Sequence, residues 1–155
     1  MKLKKLDHAF YANHGHLKEA LDNHDGNWEK GKTRGYGVVV IQLNQLTFAI
    51  PLRTNIKHSA AYITLKSNQP GVKGKGLDFS KALLISDPAY VADVPFKIPP
   101  AEFKKLRGKE RFITEKFEKY VKHYIEAVQH QDENRLSEHE YRFTTLINYH
   151  QELGL

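Results

Sequence analysis

The sequence predicts an α+β domain: a compact, highly curved antiparallel β-sheet or small barrel packed with helices, the C-terminal third being helical. Three observations carry this. The run Tyr36–Leu43 is β-branched and almost continuously apolar, and a second apolar run, Leu46–Ile50, follows after two residues. The apolar positions 113, 117, 120, 121, 124, 125 and 128 keep the 3.6-residue period of a helix face. The prolines of Pro99-Pro100-Ala101-Glu102 stand where a further helix can begin, so the last third of the chain reads as helical. At 155 residues the chain forms one domain, 1–155, with enough length to bury a core.

Taken in order, Asp7 is placed to cap a first helix through Phe10, Tyr11, Leu17, Ala20 and Leu21, with Gly15 a weak point inside it. Asn23–Asn27 reads as a turn and Trp28–Arg34 as a polar, basic loop. Tyr36–Leu43 is expected to be a strand buried on both faces. Asn44-Gln45 is a tight turn, and Leu46–Ile50 is the antiparallel partner. Pro51 lacks an amide hydrogen and is expected to end that strand or to lie at an edge. Tyr62–Leu65 is a third strand, 66–76 a Gly- and Lys-containing loop, and Asp78–Ile85 a fourth strand. Pro99-Pro100 marks a helix start. After Gly108 the long amphipathic helix begins, with Glu115/Lys119 and Glu118/Lys122 as i,i+4 pairs. Ser137-Glu138-His139-Glu140 has the form of a capping box, opening a last helix that buries Phe143, Leu146, Ile147 and His150 and ends near Gly154.

The absence of cysteine excludes disulfides and thiolate zinc sites, and suits a reducing compartment. No apolar run reaches the ~20 residues of a membrane span, and the basic start lacks an apolar signal core, so a cytoplasmic protein is expected. The net charge of +6 is unevenly distributed. Between Lys30 and Lys81 stand nine Lys or Arg against one acid, Asp78, whereas the rest of the chain is slightly acidic. Such a concentrated positive field attracts polyanions. The basic residues fall on strands and loops rather than on an amphipathic helix, which disfavours a membrane surface.

Residues Arg53, Thr54, Asn55, Ile56, Lys57 and His58 sit just after Pro51 in the middle of this basic segment, and read as a turn at a strand end. Cleaving RNA by attack of its own 2′-OH requires a proton acceptor, cations for the charge that develops at phosphorus, and a donor to the leaving 5′-oxygen. Arg53 can grip a phosphate bidentately and Lys57 supplies a compact charge. Thr54 brings a hydroxyl, and His58 an imidazole that titrates near neutrality. A plain solvated turn fits the same composition about equally well.

Beyond composition, Arg34-Gly-Tyr-Gly-Val-Val-Val-Ile and Leu46-Thr-Phe-Ala-Ile-Pro-Leu-Arg-Thr-Asn-Ile-Lys-His58 resemble the core of the ToxN-like toxins of type III toxin–antitoxin systems. Lys73-Gly-Lys-Gly-Leu-Asp-Phe-Ser-Lys-Ala-Leu-Leu-Ile85 and His139-Glu-Tyr-Arg-Phe-Thr-Thr-Leu-Ile-Asn-Tyr-His-Gln-Glu-Leu-Gly154 are similar to the TenpN branch of that family. The likeness runs over nearly the whole chain. It implies a barrel like that of the Kid/MazF toxins and an endoribonuclease that needs no metal or organic cofactor. Its implied partners are cellular or phage RNA as substrate and a small structured RNA antitoxin, cut from a tandem-repeat array and held in a closed toxin–RNA assembly. The implied role is plasmid maintenance or abortive infection. The family's catalytic serine and lysine align with Thr54 and Ile56. Thr54 keeps a hydroxyl there, whereas Ile56 departs from the pattern, so Arg53 or Lys57 must supply the charge.

Further residues are expected on the RNA path: Lys30, Lys32, Arg34 and Tyr36 at the entrance to the first strand, Lys73 and Lys75 in the glycine-rich loop, and Lys81. The loop lacks the strand–loop–helix context of a nucleotide P-loop. Lys104, Lys105 and Arg107 read mainly as solvated surface. His14 and His16 have neither the spacing nor the carboxylate partners of a metal site. The same basic face, 30–81, also fits a non-catalytic RNA- or DNA-binding module, or a module that meets an acidic protein.

Overall fold

The structure, a computed structural model, describes residues 1–24, 27–28 and 37–155. In chain order its strands are β1 (Lys4–Leu6), β2 (Asn23–His24), β3 (Asn27–Trp28), β4 (Val38–Leu43), β5 (Leu46–Ile56), β6 (Ala61–Lys66), β7 (Gly74–Asp78), β8 (Leu83–Leu84) and β9 (Val91–Pro95). The α-helices are α1 (His8–Asn13), α2 (Pro100–Leu106), α3 (Glu110–Gln129) and α4 (Glu133–Leu136). Short 3₁₀ turns occupy Phe79–Lys81, Pro88–Tyr90 and Thr145–Tyr149. No helix among the described residues is long and apolar enough to cross a membrane.

The architecture is α+β, with one antiparallel seven-stranded sheet in the order β6-β7-β5-β4-β1-β9 and with β8 beside β5. It is not closed into the expected barrel, because the terminal strands β6 and β9 do not pair with each other. β6 is flanked by helices instead. Lys116 of α3 donates to the Ala61 carbonyl at 2.8 Å, and the Tyr62 hydroxyl donates to the Lys105 carbonyl of α2.

The spine of the sheet is β5, which runs six residues further than Pro51 was expected to allow. The Leu52 amide donates to Gly37 O at 2.7 Å, so the even-numbered amides of this stretch face β4 and the Pro51 nitrogen faces away. On that other side β8 pairs with Phe48 and Ala49, and β7 takes over at Leu52. Pro51 falls in the gap between the two partners, where no ladder donor is needed. The hairpin β4–β5 closes through Asn44, whose φ of +56° is the left-handed value favoured in a tight turn. β4 is buried on both faces at its start, but Gln42 is exposed.

Other elements depart from expectation for local reasons. α1 is capped by Asp7, which accepts from Ala9 N at 2.9 Å, but it stops at Asn13. Glu19 and Asp22 have φ near +60°, so a helix cannot continue through them, and Leu17 and Ala20 reach the core from turns. The expected fourth strand is a 3₁₀ turn, with Asp78 accepting from Ser80 N, followed by two residues of β8. Part of the expected loop 66–76 is the strand β7. Its Gly76 is packed so closely on β6 that a Cβ would lie 2.0 Å from Tyr62 O. The expected last helix is only a 3₁₀ turn opened by Thr144, and it leaves Phe143 and Ile147 exposed. On the long helix the ion pair formed is Arg111–Glu115, at 3.0 Å. On α3, Ile113, Phe117, Tyr120, Val121 and Tyr124 are buried as expected, Ile125 and Val128 are half-buried and Ala127 joins the buried face. Phe117 packs edge-on against Phe48 of the hairpin and Phe79.

Candidate functional site

Arg53–Ile56 form the end of β5 rather than a free turn, and a β-bulge shapes them. Arg53 pairs with Gly76 and Ile56 with Gly74, so three steps along β5 match two along β7. The extra residue is absorbed where Asn55 takes a φ of +55°. A regular strand would turn Thr54 inward between Leu52 and Ile56. With the bulge, Thr54 and Asn55 are both exposed, while Ile56 still returns to the core fully buried. Ile56 therefore points inward and Thr54 outward.

The Arg53 side chain, 39% exposed, is held from below by a carboxylate of zero exposure: Arg53 Nη1 donates to Asp78 Oδ2 at 3.0 Å. Asp78 collects three further bonds at Oδ1, from the Ser80 hydroxyl (2.6 Å), the Ser80 amide (3.0 Å) and His58 Nε2 (3.1 Å). Burial pushes the Asp78 carboxyl up. The interactions with His58, Ser80 and Arg53 together outweigh it, and the carboxyl ends below its ordinary value. It is an anion that fixes a cation at the surface.

His58 is used up within the protein. The Ala60 amide donates to its Nδ1 at 3.1 Å, and an amide can only donate, so the ring proton is on Nε2 and faces Asp78. Its side chain is only 9% exposed. This geometry makes it a support for Asp78, with no ring nitrogen turned toward a strand of RNA. Lys57 is exposed and no ion pair joins it to a described residue.

The remaining expected residues separate. Lys73 is exposed just before β7. Lys75 is partly buried and paired with Glu102 at 3.1 Å. Lys81 was expected on the RNA path, but its ammonium is buried and donates to Glu19 O and Phe143 O, each at 2.8 Å. Burial pushes its pKa down, only partly offset by Glu19. It joins the 3₁₀ turn to two distant segments, a structural task. Lys30, Lys32, Arg34 and Tyr36 lie outside the described residues. His14 stacks on Phe10 at 4.3 Å, and its Nδ1 bonds Phe10 O at 2.7 Å. Among the described residues no group of three His, Cys, Asp or Glu gathers to the size of a metal site.

Sequence reasoning missed Asp78 and Ser80 as parts of this cluster. A signal for Asp78 was present, since it is the one acid among nine bases between Lys30 and Lys81. A cavity of about 810 Å³ lies elsewhere, between β1, the start of the β4–β5 hairpin and β8, and none of residues 53–58 lines it. Its lining mixes apolar side chains with Lys2, Lys4, Glu110 and Glu152. No family model, no curated protein and no solved structure matches the chain.

Proposed function

We propose that this chain is a metal-independent, sequence-selective endoribonuclease toxin of a type III toxin–antitoxin system, working at the exposed bulge of β5. The observation that carries the reading is the Arg53–Thr54 pair. The exposed Thr54 hydroxyl stands on the bulge one residue after Arg53, whose guanidinium a buried carboxylate holds, with the exposed Lys57 three residues on. Positively charged groups fixed in advance stabilise a pentacoordinate phosphorane without having to reorganise, and such electrostatic preorganisation commonly accounts for most of the rate gain in reactions of this kind. In the proposed reaction the ribose 2′-hydroxyl gives its proton to solvent as its oxygen attacks the adjacent phosphorus. The P–O5′ bond breaks and the 5′-oxygen takes a proton from solvent, giving a 2′,3′-cyclic phosphate and a 5′-hydroxyl. Arg53 and Lys57 bind the non-bridging oxygens, and Thr54 orients the phosphate and the 2′-OH through its hydroxyl. Asp78 and His58 act as positioning residues through Arg53.

The sequence likeness to the TenpN branch and the +8 segment support RNA as the substrate. The same likeness makes the controlling partner a small structured RNA, cut from a tandem repeat by the toxin and retained in a closed assembly. The test is expression of the wild-type chain and of Thr54→Ala in cells lacking the repeat array. Growth arrest with RNA cleavage is expected from the first and neither from the second. Equal arrest by both, with RNA bound and uncut, identifies a non-catalytic RNA-binding module.

A further inference from the structure

The loop that leaves β5 through His58 ends at a second, open concavity, of about 350 Å³, bordered by Ser59, α3 and the segment 135–141. That is roughly the volume of a dozen waters in the liquid. It suits one base with its ribose and is too small for a folded RNA. Its aromatic wall is Tyr120 and Tyr141, stacked with ring centres 4.7 Å apart.

The polar groups here are fixed in advance. Glu140 Oε1 accepts from the Ser59 hydroxyl at 2.8 Å and from its amide at 3.4 Å, which sets the carboxylate's orientation. Burial pushes this carboxyl up, but the Ser59 hydroxyl together with backbone amides more than offsets that, so it stays anionic at neutral pH. A carboxylate has about four lone-pair sites, so acceptor capacity remains. Arg135 Nη2 donates to His123 Nδ1 at 2.8 Å. Since arginine only donates, His123 carries its ring proton on Nε2 and is itself a donor. The Arg135 guanidinium lies 5.9 Å from the Tyr141 ring, and its Nε has no hydrogen-bond partner among the described residues. The exposed Lys119 adds a positive rim.

We propose that this cavity is the base-specificity pocket of the proposed nuclease, and that it takes guanine. The inference rests on the reading of the protein as an RNA enzyme. A fixed carboxylate, Glu140, and the donors Arg135 and His123 line the same cavity, and this combination matches one nucleobase edge. Guanine offers two adjacent donors, N1–H and N2–H, next to the acceptor O6. Adenine sets the lone pair of N1 against the carboxylate, and cytosine does the same with N3. Uracil offers a single N–H between two acceptors. Ser59 follows His58, which contacts Asp78, which holds Arg53. The pocket and the phosphate-binding edge are thus joined through one loop.

The experiment is an amide and aromatic NMR titration of the full chain with 5′-GMP, 5′-IMP, 5′-AMP, 5′-CMP, 5′-UMP and inorganic phosphate. GMP is expected to move the Ser59, Ala60, Tyr120 and Tyr141 signals and to bind about tenfold more tightly than AMP, the discrimination of one good bidentate contact. IMP, which lacks the N2 amino group, should fall between them. Glu140→Gln should bring the GMP/AMP ratio close to one, and Arg135→Lys, which keeps the charge but not the planar fork, should weaken GMP. The two variants together guard against a fold lesion in either. Equal shifts from all the nucleotides and from phosphate, or no shift at these residues, overturn the proposal. GMP binding at this pocket in a protein that leaves RNA uncut would uphold the pocket while removing the nuclease reading. Intact cleavage without base discrimination would do the reverse.

Discussion

Replacing Asp78 by Asn keeps the shape of a fully buried side chain and removes its charge. The amide retains one acceptor oxygen. In the Oδ1 place it preserves both Ser80 bonds and the His58 contact, and turns its NH₂ toward the Arg53 guanidinium, donor against donor. The bond lost is a charge-assisted one, worth about 1.5–3 kcal/mol when intact. Arg53 is 39% exposed and can turn to water, so the net cost in stability should be nearer about 1–2 kcal/mol. In a domain of this size that lowers Tm by roughly 2–8 °C. Asp78→Ala also strands the Ser80 amide and hydroxyl and His58 Nε2, and should cost about 3–5 kcal/mol. Asp78 titrates below its ordinary value in the folded state. Its stabilisation is therefore complete above the unfolded value of about 3.9 and is lost as pH falls through the folded value. The stability gap between wild type and Asp78→Asn should close in that acid range. Cleavage should fall on the order of 10²-fold, because Arg53 is no longer aimed. The assays are thermal unfolding followed by circular dichroism from pH 2 to 7, and single-turnover cleavage by Asp78→Asn, Arg53→Ala and the double variant. If Asp78 acts through Arg53, the double variant cleaves like Arg53→Ala alone. Multiplied effects, or Asp78→Asn cleaving like wild type, refute a positioning role for Asp78.

The other predictions address neighbouring residues. Thr54→Ala, at an exposed bulge position, should leave Tm nearly unchanged and abolish cleavage, with Thr54→Ser restoring much of it; thermal unfolding and RNA cleavage read both. Ile56→Lys, which copies the residue type of the resembling family, should destabilise the protein by several kcal/mol and add no activity, because the position has zero exposure. Lys57→Ala and Lys73→Ala should each flatten the salt dependence of RNA affinity by about 0.7 in log–log slope for a single strand, with Tm almost unmoved. Lys81→Ala should do the opposite, lowering Tm and sparing the slope, since its ammonium serves two carbonyls inside the fold. Gly76→Ala drives a Cβ toward the Tyr62 carbonyl and should cost at least about 2 kcal/mol in denaturant unfolding.

The parts of the fold that were legible in the sequence are those with a long, one-sided pattern. The periodic face of α3 and the hairpin around Asn44 are of this kind, because side-chain burial alone dictates them. What could not be read depended on partners distant in sequence. Pro51 continues a strand because β8 and β7 meet beside it, which no local pattern encodes. The capping-box form at 137–140 does not open a helix, since Glu140 is taken by Ser59, eighty-one residues away. Gly74 and Gly76 look like loop residues and are instead what close contact with β6 requires. That Arg53 and Thr54 lie together within a basic segment was legible in the sequence, although they stand on a strand rather than the expected turn. The bulge that exposes Thr54, the buried Asp78 beneath Arg53 and the full occupation of His58 were not, because each is a matter of register or tertiary hydrogen bonding.

The central claim is that Arg53 and Thr54 on the β5 bulge cut RNA through its own 2′-OH. The most direct measurement incubates the purified chain and its Thr54→Ala variant with a defined RNA in excess EDTA and identifies the new 3′ ends by mass spectrometry. The expected result is 2′,3′-cyclic phosphate termini from the wild type and intact RNA with the variant. Cleavage that EDTA abolishes, ends bearing a free 3′-hydroxyl, or undiminished cutting by Thr54→Ala would contradict it.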